Sequence, residues 1–315
     1  MAGRVDTCGM TDIGLVRERN EDHFLIADLK KSVVIHHTSL SYDDETHLMG
    51  GSQAKLFLVA DGVSDDLIGE RASRLAIQGI VQYLLNTMHW LFRVNDGRED
   101  AFLEDLKSAL AFTQEKIREI GTTTSSRSPI GTMTTLAYVV WPQVYLIHIG
   151  NTRAYVFRDR RIVRLTHDQT NAQALVDAGL MDAGQIRDLP VRPILSGLKG
   201  RHPHHLIPEV TQFKLSLHDK LLLCTDGLTT QLSDAEITEL LSTDVSAEET
   251  CGLLINAANV AGGQDNTTVV LAHFTDGTTA QLKRKVEIVN SQKQQSADSL
   301  SASEVSLCWP TGEGD

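Results

Sequence analysis

Acidic residues recur in this chain at the ends of apolar, strand-like runs, where side chains reach water at the rim of a sheet. The acidic elements of this kind are Glu21-Asp22, Asp61-Gly62, Asp226-Gly227 and Asp265. Each of them taken alone is more typical of a turn, since Asp-Gly is a common hairpin signal. If they converge at one rim, their mutual repulsion makes full ionisation costly, and bound cations relieve it. Oxygen-only ligands favour hard ions such as Mg²⁺ or Mn²⁺ over zinc.

Arg17 lies just before the first acidic element, in a segment that alternates apolar residues with charges. Its planar guanidinium is suited to a bidentate grip on a phosphate group. The alternative interpretation is an ordinary surface arginine. The flanking acids favour the phosphate site.

The composition limits the classes of function. The chain has 315 residues, 41% of them hydrophobic and 22% charged, which is ordinary for a soluble globular protein. A formal net charge of -12 argues against nucleic acid as the main partner. No stretch reaches the roughly 20 apolar residues of a membrane span. The four cysteines show no paired metal-ligand spacing, so we expect a reduced, cytoplasmic protein. The N-terminus has no charged segment followed by a long apolar one, so we expect no secretory signal.

Periodicity predicts the elements that must position these residues. Apolar residues recur at helical spacing over 72–84 and 99–120, and two such helices are expected to pack as an antiparallel pair on a sheet. Short runs between 131 and 158 are typical of an antiparallel meander. Capping-box spacing at Ser233 and Ser246 predicts two further helices.

The remaining segments are read from their polarity and their helix breakers. We expect 29–53 to be a hairpin connection or insertion, and 171–189 to be helical before it is broken by prolines. From 276 to 315 the chain is rich in Ser, Gln and Lys, and we expect a disordered tail.

Taken together, these blocks resemble the metal-dependent serine/threonine protein phosphatases of the type 2C class. The resemblance covers 11–274, and the blocks occur in the family's order. They are DIGLVRERNED at 12–22, VADG at 59–62, GTMTTL at 131–136, GNTRAY at 150–155, LCTDGL at 223–228 and GQDNTTV at 263–269. The resemblance implies an α+β fold, a four-layer α-β-β-α sandwich of two stacked antiparallel sheets flanked by helix pairs. It also implies a catalytic domain over 1–275, with a flap subdomain at about 171–200.

The resemblance further implies two Mg²⁺ or Mn²⁺ ions in one active site. Asp61 would bridge both ions, the Gly62 carbonyl would bind one, and Asp226 and Asp265 would bind the other. Glu21 and Asp22 would act mostly through metal-bound waters, and Arg17 would hold the phosphate. Two divalent ions neutralise a phosphate monoester and lower the pKa of a bridging water, so attack at phosphorus needs no covalent intermediate.

Two departures from the family pattern bear on catalysis. Asp66 stands where the family has a histidine thought to protonate the leaving alcohol, and it is our candidate general acid. An aspartate with an ordinary pKa near ~3.9 is ionised at neutral pH, so this role requires a shifted pKa. The alternative is that metal-bound water protonates the leaving group. Asn151 stands where many members have an aspartate that helps to hold a third metal, which makes a third ion doubtful here.

The function that the resemblance implies is metal-dependent hydrolysis of phosphoserine and phosphothreonine on proteins. The substrate would be a phosphorylated protein, with a cognate Ser/Thr kinase as a possible partner, and we expect a monomer. The alternative is a catalytically attenuated phosphate-sensing or scaffold module of the same fold, suggested by the missing histidine and by Asn151. A nuclease is disfavoured because the chain is acidic and lacks stacking platforms.

Overall fold

The computed structural model describes residues 4–34, 47–63, 69–87, 99–123, 131–182, 184–185, 197–199 and 208–276. The helices are α1 Gly69–Thr87, α2 Glu99–Thr123, α3 Asn171–Asp177, α4 Asp226–Gln231, α5 Asp234–Leu241 and α6 Ala247–Val260. The first strands are β1 Arg4–Asp12, β2 His23–Val34, β3 His47–Val63, β4 Gly131–Val140, β5 Gln143–Ile149 and β6 Arg153–Arg158. They are followed by β7 Arg161–Arg164, β8 Leu198–Lys199, β9 Glu209–Lys214, β10 Lys220–Cys224 and β11 Thr267–Thr275.

The strands form two antiparallel sheets. One has the order β1-β11-β10-β6-β7, and the other has the order β2-β3-β4-β5-β9 with β8 paired to β4. The first and last strands, β1 and β11, therefore lie side by side. This pairing brings the segment before β11, which holds Asp265, next to the segment after β1, which holds Arg17.

Three buried apolar clusters separate four layers. One cluster lies between the helices α1 and α2 and the sheet of β3, β4 and β5, and Phe102, Leu106 and Ile117 contribute to it from one face of α2. A second lies between the two sheets, with Phe57 and Leu223 among its members. The third joins β10 and β11 to α4, α5 and α6. This is the predicted four-layer α-β-β-α sandwich.

The predicted meander is wrong after its second strand. β4 and β5 pair as expected, but β6 lies in the other sheet, between β10 and β7. The chain crosses between the sheets at Gly150, which has a φ of +106°. A Cβ atom there would lie 2.0 Å from the Met133 side chain, so this crossing requires glycine. The crossing carries Asn151 to the end of β10.

Other boundaries differ from the sequence predictions in detail. The polar segment 29–53 is not only a connection, because β2 continues to Val34 and β3 already begins at His47. The helix expected over 171–189 ends at Asp177, and Gly179, with a φ of +69°, follows the end. The helices predicted over 72–84 and 99–120 are confirmed as α1 and α2. Both predicted capping boxes are confirmed at Ser233 and Ser246.

The predicted tail, apart from its first residue Asp276, lies outside the described residues, as do Asp66 and most of the second half of the predicted flap. No helix in the described part of the chain is both long and apolar enough to cross a membrane.

Candidate active site

Asp61 and Gly62 lie near the end of β3, still paired with β4 rather than beyond the strand. The Thr132 hydroxyl donates a hydrogen bond of 2.7 Å to the Asp61 carbonyl oxygen and fixes the backbone there. Gly62 is buried where chains crowd together, because a Cβ atom on it would lie 2.4 Å from the Gly69 carbonyl oxygen. Glycine is therefore required here by close approach of backbone.

Asp226 comes from the opposite sheet. It begins α4 directly after β10, whose apolar residues are all buried. The residue between them, Thr225, donates its hydroxyl to the Asp22 carboxylate at 2.7 Å. Asp22, only 5% exposed, precedes β2 of the other sheet. This contact ties the two sheets together at the rim that carries the acids.

Asp265 and Arg17 form an ion pair at the same rim. The Arg17 guanidinium donates to the Asp265 carboxylate at 2.8 Å, and the other Asp265 oxygen accepts from the Asn266 backbone N–H at 2.8 Å. The Asn266 side chain accepts from the Glu21 N–H at 2.8 Å and donates to the carbonyls of Ile13 and Arg19. Asn266 thus joins the Arg17 loop, the first acidic pair and Asp265.

Glu21 has its carboxylate at the beginning of α1. A Cβ atom added to Gly69 would lie 2.3 Å from Glu21 Oε2, so the glycine leaves room for this carboxylate. The Glu21 carbonyl oxygen accepts from Ser73 in the next turn of the helix. A negative charge near a helix N-terminus is favourable because of the helix dipole.

The charges of the acidic residues act on one another across the rim. Burial raises the pKa of Asp61 well above its ordinary value, and the negative charges of Asp22, Asp226 and Asp265 raise it further, against a smaller opposing effect of Arg17. Burial also raises the pKa of Asp22 well above its ordinary value, opposed by hydrogen bonds from Thr225 and Thr268. The four aspartates therefore lie close enough together for their charges to disfavour ionisation of Asp61 and Asp22.

The chemistry of these donors fits divalent cations. The set consists of carboxylate and carbonyl oxygens, which hard ions prefer, and a cation would relieve the repulsion around Asp61. Within the described ranges, no three His, Cys, Asp or Glu side chains stand together as a finished metal cluster. Arg17 and Asn151 instead hydrogen-bond Asp265 and Asp226. Binding of a cation at Asp265 would require the Arg17 guanidinium to move, which the exposure of this ion pair allows.

The structure thus places the sequence-predicted residues Arg17, Glu21, Asp22, Asp61, Gly62, Asp226 and Asp265 at one rim of the sandwich. Sequence reasoning missed Thr225 and Asn266, which hold this arrangement together. Each of them is directly next to a predicted ligand in sequence, and that adjacency was the available signal. Asp66 lies outside the described residues, so its role as general acid stays a prediction.

Comparison with known proteins gives related sequences and folds. The family described as protein phosphatase 2C matches residues 36–258. The serine/threonine protein phosphatase PstP of Mycobacterium tuberculosis is 30% identical over 223 residues, which are 71% of this chain and 41% of that protein. The chain thus spans about two fifths of the length of that relative. The protein phosphatase PhpP of Streptococcus pneumoniae is 25% identical over 267 residues, covering 85% of this chain and 96% of PhpP.

A solved structure shares the fold. The crystal structure of the catalytic domain of PstP in complex with two manganese ions has a TM-score of 0.67 and 26% sequence identity, and the match covers 86% of this chain and 99% of that one. The family match extends over more than two thirds of the chain, and the fold agrees with it. The chain therefore belongs to the protein phosphatase 2C family.

Proposed function

We propose that this protein hydrolyses phosphoserine and phosphothreonine residues of proteins in a reaction that depends on Mn²⁺ or Mg²⁺. The observation that carries the proposal is the convergence of Asp22, Asp61, Asp226 and Asp265, from both sheets, beside an exposed arginine. The family match and the two manganese ions in the PstP structure support the same function.

In this proposal Asp61 would bind both ions. The Gly62 carbonyl would bind one of them, and Asp226 and Asp265 would bind the other. Glu21 and Asp22 would act through metal-bound waters. Thr225 donates to the Asp22 carboxylate and orients it, and Asn266 accepts from the Glu21 backbone N–H. When bound, the ions supply neutralisation of the phosphate charge and a water acidic enough to attack phosphorus. A third ion is not part of the proposal, because Asn151 is neutral.

Arg17 is the proposed phosphate ligand. Its guanidinium pairs with Asp265 and remains about half exposed, with 53% of the side chain open to solvent. The hydrogen bond to Asp265 raises the pKa of Arg17 above its ordinary value, so the cation persists at any working pH. A dianionic phosphate can share this guanidinium or replace Asp265 on it.

The reaction is hydrolysis of the phosphate ester bond. The attacking water oxygen bonds to phosphorus and keeps one of its protons, and the bond from phosphorus to the seryl or threonyl oxygen breaks. That oxygen takes up a proton, which the second proton of the water replaces. We keep Asp66 as the candidate proton donor for this step. The catalytic unit would be 1–275, acting as a monomer on a phosphorylated cytoplasmic protein and opposing a Ser/Thr kinase.

A phosphothreonine peptide assay separates this proposal from the alternative of a phosphate-sensing or scaffold module. With Mn²⁺ present, the parent protein should release phosphate, and Asp226→Asn should lower turnover by about a hundredfold or more, as loss of a metal ligand does. Asp159→Asn serves as a control, because Asp159 lies exposed in the β6–β7 turn with a φ of 50° that asparagine tolerates. A folded parent without turnover in Mn²⁺ or Mg²⁺ would favour the module.

A further inference from the structure

Asn151 lies buried at the crossing between the two sheets, with 7% of its surface exposed. Its side-chain amide donates a hydrogen bond of 2.7 Å to Asp226 Oδ2. The backbone on its N-terminal side is fixed by Gly150, whose N–H donates to the Gln169 side chain at 3.1 Å and whose carbonyl oxygen accepts from the Gln169 N–H at 2.7 Å. The amide is therefore presented to Asp226 from a rigid support.

The other end of this amide has no partner in the described part of the chain. Asn151 Oδ1 is buried and accepts no hydrogen bond there. Leaving a buried acceptor unpaired costs about 1–3 kcal/mol. An unpaired buried acceptor calls for an explanation. Here the explanation is that the same amide donates a hydrogen bond to Asp226, a predicted metal ligand.

Asn259 offers a matched case elsewhere in the molecule. It too donates its amide to a carboxylate, Asp12 Oδ1 at 3.0 Å, and its own Oδ1 is also buried without a partner within the described ranges. Asp12 is not among the predicted metal ligands. The two asparagines thus make the same kind of contact, one at the candidate site and one beside it.

A neutral donor suits the surroundings of Asp226 better than a charged group. The charges of Asp22, Asp226 and Asp265 already raise the pKa of Asp61, so a further carboxylate at 151 would add to the repulsion. An asparagine fixes the plane of the Asp226 carboxylate through one oxygen and adds no charge. Hydrogen bonds of this kind orient the ligands of metal sites.

We propose that Asn151 is a positioning residue that holds Asp226 in the orientation needed to bind a divalent cation. This inference rests on the proposed function, since the orientation of Asp226 matters there only if Asp226 binds a metal ion. Asn151 itself need not touch the ion or the substrate.

The test is calorimetric titration of the full chain with MnCl₂, comparing the parent with Asn151→Leu and Asn259→Leu. Asn151→Leu should weaken Mn²⁺ binding by about tenfold or more, as the loss of outer-shell hydrogen bonds does at other metal sites. Asn259→Leu removes the matched hydrogen bond and should leave the Mn²⁺ affinity within about twofold of the parent.

Turnover of para-nitrophenyl phosphate provides a second readout. At limiting Mn²⁺, Asn151→Leu should have a lowered kcat that excess Mn²⁺ partly restores, with a nearly unchanged KM. A merely structural defect would not respond to Mn²⁺ in this way. Circular dichroism of the metal-free proteins checks folding, and Asn151→Ala replaces the leucine variant if that variant does not fold.

If the parent is active and a folded Asn151→Leu or Asn151→Ala protein binds Mn²⁺ as tightly as the parent, this inference is overturned while the proposed function stands. A parent protein that neither binds Mn²⁺ nor hydrolyses phosphate esters would overturn the proposed function, and the inference with it.

Discussion

Arg17 makes an ion pair with Asp265 in which 53% of the arginine side chain and 35% of the aspartate side chain are exposed. Ion pairs this accessible to water contribute about 0–1 kcal/mol. The guanidinium can therefore leave Asp265 at little cost when a phosphate arrives. The same movement would free the Asp265 carboxylate for a metal ion, so substrate and metal binding are expected to support each other.

Replacing Arg17 with alanine should lower kcat/KM for a phosphothreonine peptide by about 10- to 100-fold, because charge-assisted hydrogen bonds to phosphate are lost. Arg17→Lys should recover only part of this loss, since an ammonium group cannot make the bidentate contact. Steady-state kinetics at saturating Mn²⁺ measures the effect. An alanine variant with the parent's kcat/KM would show that Arg17 does not bind the phosphate.

At the scale of elements, α5 and α6 begin with complete capping boxes. The Ser246 hydroxyl accepts from the Glu249 N–H at 3.1 Å, while the Glu249 carboxylate accepts from the Ser246 N–H at 3.0 Å. The helix that follows buries Cys251, Leu254 and Ala258 against the sheet of β10 and β11. The cap therefore stabilises one outer layer of the sandwich without contacting the candidate site.

Ser246→Ala should lower the free energy of unfolding by about 1 kcal/mol, because the first turn of α6 loses its side-chain acceptor. Urea denaturation measures this change. Ser246→Thr keeps the hydroxyl and should stay close to the parent. If the alanine variant is as stable as the parent, the capping box is not contributing.

The elements differ in how far the sequence predicts them. The start of α6 is predicted by a capping box within one helical turn, and the inner face of α2 is predicted by the helical spacing of its apolar residues. Both signals are local in sequence. The partner of β6 depends instead on β10, far away in sequence, and β5 and β6 alone look like neighbours. Gly150 marks the place where the chain changes sheets.

At the scale of the whole molecule, the candidate site exists only because the two sheets are stacked. Asp61 comes from β3 of one sheet, and Asp226 follows β10 of the other. The order of the sequence blocks predicted that these acids belong to one site. It could not predict the hydrogen bonds of Thr225, Asn266 and Asn151, because these depend on side-chain distances that only the packed layers determine.

His148 is expected to make the stability of this packing depend on pH. It lies on β5, on the same side of the strand as Val144 and Leu146, which pack between the sheets. It is 1% exposed and hydrogen-bonds the Thr135 hydroxyl at 2.9 Å. Burial lowers the pKa of His148 from 6.5 to about 4, so the folded state resists its protonation.

The sign of the effect follows from proton uptake. Below pH 6.5 the unfolded chain binds a proton that folded His148 binds only near pH 4. This contribution to stability is therefore lost as the pH decreases from 6.5 to about 4. The loss amounts to about 3 kcal/mol when complete. The stability difference between the parent and His148→Gln, measured by urea denaturation in EDTA, should therefore shrink from pH 7 to pH 4. A difference that stays constant with pH would contradict this.

In the proposed function, acids from both sheets bind a shared pair of divalent ions. The most direct test is a crystal structure grown with Mn²⁺, in which anomalous scattering locates the ions. We predict two manganese peaks with Asp61 coordinating both and with Asp226 and Asp265 coordinating one of them, at metal–oxygen distances of about 2.0–2.3 Å. Manganese sites elsewhere, or Asp61, Asp226 and Asp265 without a common ion at saturating Mn²⁺, would show that these acids do not form the metal site.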